Sequence, residues 1–277
     1  MSIAFVNNIK TVMLLGALMG LVVGVGYALG GVNAIVPALL FAIAMNVGAF
    51  FFSDKLAIAA MRGQQVTSGK LYDMVDELRQ RAGLPMPRVY VCPQQAPNAF
   101  ATGRSPRKAA VAVTEGALQL LTREELEGVM AHELAHVKNR DTLISTIAAT
   151  VGGLMAMLAY GMMFFGGHNR EGGNPLMVLG TVLIGALGAA VIKAMISRSR
   201  EFVADADGAR IAGTPDGLIN ALRKLEMYAK RIPMDNPNPA QNNLFIIEPL
   251  TGGKTLSDLF ATHPPTEKRV EALMTVR

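Results

Sequence analysis

Charged residues and cysteine are both scarce in this sequence. Only 17% of the 277 residues are charged, whereas soluble globular proteins carry about 25%. Because 51% of the residues are hydrophobic, intrinsic disorder is excluded. The single cysteine, Cys92, cannot form an internal disulfide bond, so a disulfide-stabilised secreted scaffold is excluded as well. One free cysteine is compatible with a reducing compartment.

The shortage of charged residues is confined to a few segments of the chain. Residues 11–53 contain no charged residue, and this run is about twice the 20 apolar residues that cross a bilayer once. The turn signal Gly-Gly-Val-Asn at 30–33 divides it, which predicts an N-terminal transmembrane hairpin in 1–53 with helices near 11–31 and 34–53. A cleaved signal peptide is the alternative for the first helix, and it is disfavoured because no small-residue cleavage site precedes polar sequence.

A second apolar block predicts another transmembrane hairpin at 142–193. Its helices are expected near 143–165 and 175–195, on either side of the glycine-rich segment 166–173. A buried helical pair inside a large soluble core is the alternative. Glycine and proline are frequent in membrane helices, so the glycines of this block do not argue against a hairpin.

Basic residues predict how the chain is oriented. Lys and Arg concentrate on the side of the apolar segments where the polar portions 54–141 and 194–277 lie, and the two short loops on the other side hold only Arg170. By the positive-inside rule, both polar portions face the cytoplasm. The net charge of +5 is therefore assigned to topology and to contact with anionic lipid. Nucleic-acid binding is not expected, because no basic motif is interleaved with aromatic residues.

The polar portions predict helices and one small sheet. An amphipathic helix at 67–82 ends before Gly83. A capping box, Thr122 with Glu125, opens another helix that continues past Met130 without a glycine or proline break until the second apolar block. Short apolar segments predict a small antiparallel sheet. Its strands are expected at 88–92, 99–102 and 110–114. Further helices are expected at 201–211, after Thr214–Pro215 and after Pro264–Pro265, with an irregular loop at 232–243.

The capped helix contains the segment His-Glu-Leu-Ala-His at 132–136. His132 and His136 are one helical turn apart, so both imidazoles project from one face and can bind one metal ion. Glu133 lies beside that ion, where it could take a proton from water. Zinc is favoured because it accepts imidazole and carboxylate ligands and acidifies water. The motif arises by chance in roughly one of a hundred chains of this length, so a third ligand matters.

An acidic pair follows the fourth apolar segment. Glu201 would complete the ligand set, and Asp205 would accept a hydrogen bond from the outer nitrogen of a ligand histidine. The alternative is that both carboxylates are solvated and pair with Arg198 and Arg200. The predicted hairpin carries the chain out and back, so Glu201 returns to the membrane face where His136 lies. This topology favours the metal centre.

These motifs resemble the HtpX heat-shock proteases. The segments that carry the resemblance are 97–103, 132–141, 201–205 and 263–265. It covers nearly the whole chain and implies a multi-pass zinc metalloprotease of the bacterial inner membrane, related to the CAAX prenyl endopeptidases. The fold class implied is a mainly α membrane protein with two transmembrane hairpins and a zincin-like catalytic domain, divided by the second hairpin and facing the cytoplasm.

The resemblance also implies the activity and its partners. One Zn²⁺ per chain would be held by His132, His136 and Glu201, with Glu133 activating a water molecule. The substrates would be misfolded or damaged membrane proteins, cleaved as endopeptidase substrates in the stress response. Expected partners are these substrates, the lipid bilayer and membrane quality-control proteins, while the sequence leaves the oligomeric state open.

Several further residues are candidates with simpler alternatives. The strand at 99–102 could pair with an extended substrate backbone, or it is an ordinary sheet strand. His263 could reach the oxyanion of the transition state or cap the last helix. Asn139 could support the ligands, or make a helix-to-loop hydrogen bond. The substrate candidates on this strand and just before it are Asn98, Ala99, Phe100 and Ala101.

Two other classes of protein make different predictions. A transporter with an intramembrane metal site would place ionisable residues in the centres of the spans, and the apolar segments contain almost none. A scaffold with a structural zinc would supply four protein ligands, whereas only three are well placed here. The open fourth position favours catalysis.

Overall fold

The computed structural model describes residues 31–143, 198–229 and 264–276, together with scattered helical residues from Val6 to Tyr27. Apart from Thr142 and Leu143, the hairpin predicted at 142–193 lies outside the described residues. The loop predicted at 232–243 and His263 lie outside them as well.

The second apolar segment forms one long helix, α1, at Ile35–Ala60. A 3₁₀ turn at Val32–Ala34 precedes it. Among the described residues, Val32–Phe52 is the one helical stretch long and apolar enough to cross a membrane. Its side chains are mostly exposed, which fits membrane association. The prediction of two transmembrane hairpins stays a prediction.

The described residues of the first apolar segment contact α1. Asn46 is buried in the middle of α1, and its side-chain amide donates a hydrogen bond of 3.0 Å to the carbonyl oxygen of Leu15. Gly26 lies so close to Ala38 that a Cβ atom at position 26 would be 2.4 Å from the Cβ of Ala38. Small residues allow this close approach of two apolar helical segments.

Four short strands form one mixed sheet. The strands are β1 Gln64–Val66, β2 Arg88–Cys92, β3 Ala99–Thr102 and β4 Ala110–Thr114, in the order β1-β2-β4-β3. The two outer pairs are antiparallel, but β2 and β4 are parallel. The predicted antiparallel sheet is therefore wrong for its central pair, because side chains alternate in the same way along parallel and antiparallel strands. Strand β1, whose two glutamines are exposed, was not predicted from the sequence.

Six helices accompany the sheet in the described part of the catalytic portion. They are α2 Lys70–Ala82, α3 Glu115–Leu120, α4 Arg123–Asn139, α5 Arg198–Ala212, α6 Asp216–Ala229 and α7 Thr266–Met274. Five of them confirm predicted helices, and α3 was not predicted. Helix α4 lies in the centre and packs against α2, α5, α6 and the sheet. Val129, Met130 and Leu134 of α4 are fully buried in the core.

The ends of α4 are defined by local chemistry. The predicted capping box is confirmed: the Thr122 hydroxyl accepts a hydrogen bond from the Glu125 backbone N–H, and Glu125 Oε2 accepts one of 2.8 Å from the Thr122 backbone N–H. The helix ends at Asn139, because Arg140 has the left-handed conformation with φ 59°. The sequence predicted a helix without a break until the second apolar block, and the break at Arg140 differs from that prediction.

Glycines allow α5 and α6 to approach the backbone of α4. A Cβ atom at Gly208 of α5 would lie 2.9 Å from the backbone N and Cα of His132. A Cβ atom at Gly128 of α4 would lie 2.4 Å from the backbone N of Leu218 in α6. Real Cβ atoms do not approach that closely, so a side chain at either position would push the helices apart. This packing brings α5 directly against His132.

Candidate active site

Two histidines of α4 point their Nε2 atoms at the same place. His132 and His136 are one turn apart on α4, and their Nε2 atoms are 3.1 Å apart. The two rings are nearly perpendicular, with an interplanar angle of 87°. His132 is 1% exposed, so the site lies inside the protein. One helix therefore supplies two imidazole donors to one point.

The third donor comes from α5. Glu201 Oε1 lies 3.6 Å from His136 Nε2, and Glu201 Oε2 lies 3.7 Å from His132 Nε2. One donor atom from each of the three residues lies within 4.8 Å of the others. The structure thus brings together the three residues that the sequence analysis selected, although His136 and Glu201 are far apart in the sequence.

The spacing and charge of these groups fit a divalent metal ion. Donors bound at about 2.0–2.1 Å in tetrahedral geometry are roughly 3.3 Å from one another, and the three separations between Nε2 and Oε atoms are 3.1, 3.6 and 3.7 Å. With neutral imidazoles, the buried charged groups of the site carry a formal charge of −2, which a divalent cation would neutralise. These groups are Glu133, Asp141, Glu201 and Asp205, with Arg200 and Arg269.

Each histidine is oriented by an aspartate on its other ring nitrogen. His132 Nδ1 lies 2.9 Å from Oδ1 of Asp205, the residue that the sequence suggested as its partner. His136 Nδ1 lies 3.1 Å from Asp141 Oδ2. A proton held on Nδ1 by a carboxylate leaves the lone pair of Nε2 free to bind a metal.

No role was predicted for Asp141 from the sequence. It follows His136 by five positions, which is more than one helical turn. The left-handed residue Arg140 ends α4 and turns the chain, and this turn brings the Asp141 carboxylate back to the His136 ring. Arg200 Nη1 lies 3.3 Å from the other oxygen of Asp141, so α5 supports this contact.

Arg269 was also missed, and it links the last helix to the site. Its Nε and Nη2 donate hydrogen bonds of 2.8 and 2.6 Å to the two carboxylate oxygens of Asp205. Its Nη1 lies 3.6 Å from Glu201 Oε2. Arg269 is 1% exposed and shares a face of α7 with the buried Val270 and Leu273. The sequence signal that could have identified Arg269 is its position as a charged residue on the apolar face of a helix.

Glu133 lies beside the triad and is 5% exposed. Burial raises the pKa of Glu133 to about 7; the charge of Glu201 adds to this effect, while the charge of His136 and a backbone hydrogen bond with Ala101 oppose it. The contact with Ala101 joins α4 to strand β3. Glu133 therefore lies between the metal-ligand candidates and the edge strand of the sheet.

The pKa values of the two histidines are shifted in opposite directions. Burial opposes the charged form of His136, but the carboxylates of Glu201 and Asp141 outweigh it and raise the pKa of His136 to about 9. Burial lowers the pKa of His132, despite its hydrogen bond to Asp205. The negative charges that favour a proton on His136 also favour a metal cation between the rings.

The remaining candidate site residues, Asn139 and those of strand β3, have different surroundings. The Asn139 side chain donates a hydrogen bond of 3.0 Å to Asp207 Oδ2, so this bond joins α4 to α5 rather than to a loop. Strand β3 is an edge strand of the sheet. Asn98 and all of β3 are buried, and their role toward substrate stays a prediction.

Phe100 packs on the other face of the sheet from the site. Its side chain belongs to a small core with Ile58 and Met61 at the end of α1, whereas Ala99 and Ala101 belong to the main core with α4. The backbone of Phe100, and not its ring, is therefore the part that could pair with a substrate. His263 lies outside the described residues.

Comparison with known proteins identifies a peptidase family. The model of peptidase family M48 matches residues 65–277. The protease HtpX homolog of Syntrophotalea carbinolica is 49% identical over 96% of this chain and 98% of its own length. The homolog of Desulfatibacillum aliphaticivorans is 50% identical over 98% of this chain and 90% of its own length.

A solved structure shares the fold. The crystal structure of S. mikatae Ste24p matches with a TM-score of 0.53 at 17% sequence identity, over 98% of this chain and 66% of that chain. The fold and the two-histidine, one-glutamate site define a metalloprotease. The chain belongs to peptidase family M48, and within that family to the HtpX proteases.

Proposed function

We propose that this chain is a zinc-dependent endopeptidase of the bacterial inner membrane, multi-pass, with its catalytic portion in the cytoplasm. The observation that supports this most is the group formed by His132, His136 and Glu201. Its donor separations fit the tetrahedral geometry of zinc. Two imidazoles and one carboxylate leave a fourth position open, as in catalytic zinc sites.

The residues around the triad have separate roles in peptide hydrolysis. His132, His136 and Glu201 would hold one zinc ion, which when bound supplies Lewis acidity that lowers the pKa of water and polarises a carbonyl group. Glu133 takes a proton from the water molecule whose oxygen bonds to the peptide carbon. It then delivers that proton to the amine nitrogen as the carbon–nitrogen bond breaks. Asp205 and Asp141 keep the imidazoles in the metal-binding tautomer.

We assign misfolded or damaged membrane proteins as the substrate class. Helix α4 is followed in the sequence by the apolar block at 142–193, and the end of α1 packs against the face of the sheet opposite to the site. A site joined to apolar segments on both sides would meet substrates near the bilayer. Pairing of an extended chain with β3 would recognise backbone rather than sequence, which suits unfolded substrates and membrane quality control.

The test compares the variant Glu133→Gln with wild type in detergent. Loss of the general base should lower the cleavage rate of an unfolded membrane protein by about 10²–10⁴-fold. Zinc content, measured by mass spectrometry of the metal, should stay near one per chain. The matched control is Glu127→Gln on the same helix, whose carboxylate pairs with Arg81 at the surface and whose loss should leave the rate unchanged.

Two results would contradict the proposal. Cleavage by Glu133→Gln at the wild-type rate would remove Glu133 from the mechanism. Full activity after chelation has removed all metal would end the metalloprotease assignment. Reloading with zinc should restore the activity of the chelated wild type and not that of Glu133→Gln.

A further inference from the structure

A cleft of about 590 Å³ lies between one end of the sheet and the part of α1 where its apolar residues end and its first charged residues begin. We call it the basic cleft after the five cationic side chains that line it. These are Lys55, Arg88, Arg104, Arg107 and Lys108. It is separate from the metal-ligand candidates, none of which lines it.

The charge of the basic cleft is strongly positive. One carboxylate, Asp54, is also part of its lining, and Arg88 Nη2 contacts Asp54 Oδ2 at 2.6 Å. The lining therefore carries a formal charge of +4. Arg107 and Lys108 are exposed, so their charges are accessible to a ligand. An anion is the ligand that this charge favours.

The other part of the lining is apolar. Val47, Phe51 and Phe52 line the cleft, are 49%, 45% and 52% exposed, and belong to the stretch that could cross a membrane. Arg104 joins the two parts, because its guanidinium lies 4.8 Å from the centroid of the Phe51 ring and its Nη1 donates to the Phe51 carbonyl oxygen at 3.2 Å.

We propose that the basic cleft binds the phosphate headgroup of an anionic lipid, with an acyl chain along the exposed side chains of α1. Basic pockets beside membrane helices bind such headgroups. A free phosphate would use the cations but not the apolar wall, so the combination favours a lipid. This inference rests on the proposed membrane location of α1. A bound lipid would hold the sheet, and with it β3, at the membrane surface.

The test uses the full chain in detergent and measures lipid binding by native mass spectrometry. The probes are phosphatidylglycerol, phosphatidylcholine and inorganic phosphate. Phosphatidylglycerol should bind more tightly than phosphatidylcholine. The double variant Arg104→Gln/Arg107→Gln should weaken phosphatidylglycerol binding by about 10–30-fold, since each basic residue near an anionic lipid surface contributes an effect of about fivefold.

The control variant removes the same charge elsewhere. Arg79 and Arg210 pair with Asp76 and Asp207 on the surfaces of α2 and α5, and Arg79→Gln/Arg210→Gln should bind phosphatidylglycerol like wild type. If Arg104→Gln/Arg107→Gln does not fold, the variant Arg107→Gln/Lys108→Gln changes only exposed side chains and should show the same loss.

Three results would overturn the proposal. Equal binding of phosphatidylglycerol and phosphatidylcholine would show no headgroup site. Equal losses in the cleft and control variants would indicate only a general charge effect. Full competition by inorganic phosphate at the same concentration would indicate a soluble-anion site. Failure of the chain to insert into phosphatidylcholine vesicles would instead contradict the proposed membrane location.

Discussion

Helices α1 and α4 distribute their side chains in opposite ways. In α1, large apolar residues are exposed, with Leu40 at 63% and Phe41 at 54%, while the polar Asn46 is 7% exposed. In α4, the polar groups His132 and Glu133 are buried at 1% and 5%. The two helices are therefore built for different surroundings: α1 for an apolar medium, and α4 for a core that holds charge.

The buried charges near α4 are stabilised by one another. A buried ion costs several kcal/mol of desolvation unless it is paired, and Asp205 is paired with both His132 and Arg269. In α1 the first charged residue is Asp54, and Arg88 of the sheet contacts it. Asp205 near α4 and Asp54 in α1 are therefore each buried beside a cationic partner. Three variants test this comparison.

The largest effect is expected for Arg269→Met. This change leaves the carboxylate of Asp205 buried without its guanidinium partner, which should lower the free energy of unfolding by about 3–5 kcal/mol. The metal affinity should also fall by about 10–100-fold, because Asp205 orients His132. Urea unfolding of the chelated protein and competition with a zinc-binding dye measure the two quantities.

The control for Arg269 is Arg210→Met on α5. Arg210 pairs with Asp207 at the surface, with 70% of its side chain exposed, and such pairs contribute about 0–1 kcal/mol. An effect of Arg269→Met as small as that of Arg210→Met would show that buried charge pairing does not stabilise this site.

A smaller effect is expected for Phe41→Lys in α1. Lysine at the centre of a membrane helix raises the apparent insertion free energy by about 2.5–3.5 kcal/mol. Insertion into microsomes, measured by glycosylation of a reporter, should fall accordingly. Val36→Lys near the start of α1 should cost less, because its ammonium group can reach the interface. Equal and negligible effects of the two changes would argue against a membrane around α1.

The smallest effect is expected for Asn46→Leu. Its side-chain bond to the Leu15 carbonyl is a hydrogen bond between apolar segments, and such bonds contribute about 0.6 kcal/mol on average and at most about 1.7. The unfolding free energy in detergent should fall by that amount. Asn33→Leu, which changes an exposed residue, is the control, and a larger loss there would contradict the assignment.

The sequence predicted the features that depend on near neighbours. The capping box of α4 and the positions of β2, β3 and β4 follow from short patterns of residue type, and the structure confirms them. The parallel pairing of β2 with β4 was predicted wrongly. Strand direction depends on how the connecting segments cross the sheet, and side-chain alternation carries no information about it.

The contacts of Asp141 and Arg269 show a second limit of prediction from the sequence. Asp141 reaches His136 only because Arg140 ends the helix in a left-handed conformation. Arg269 reaches Asp205 across 64 positions of sequence. A pattern of residue types indicates that a charge on an apolar helix face needs a partner, but it does not name that partner.

The sequence alone was enough to place His132, Glu133 and His136 on one capped helix and to show that an uncharged run precedes the catalytic portion. One helical turn is a local distance, so a spacing of four positions brings two imidazoles together. The meeting of Glu201, Asp205 and Arg269 with these residues depended on the tertiary structure. The close approach of α5 to α4 at Gly208 and the packing of α7 bring these groups together, because contacts between distant segments depend on how helices pack.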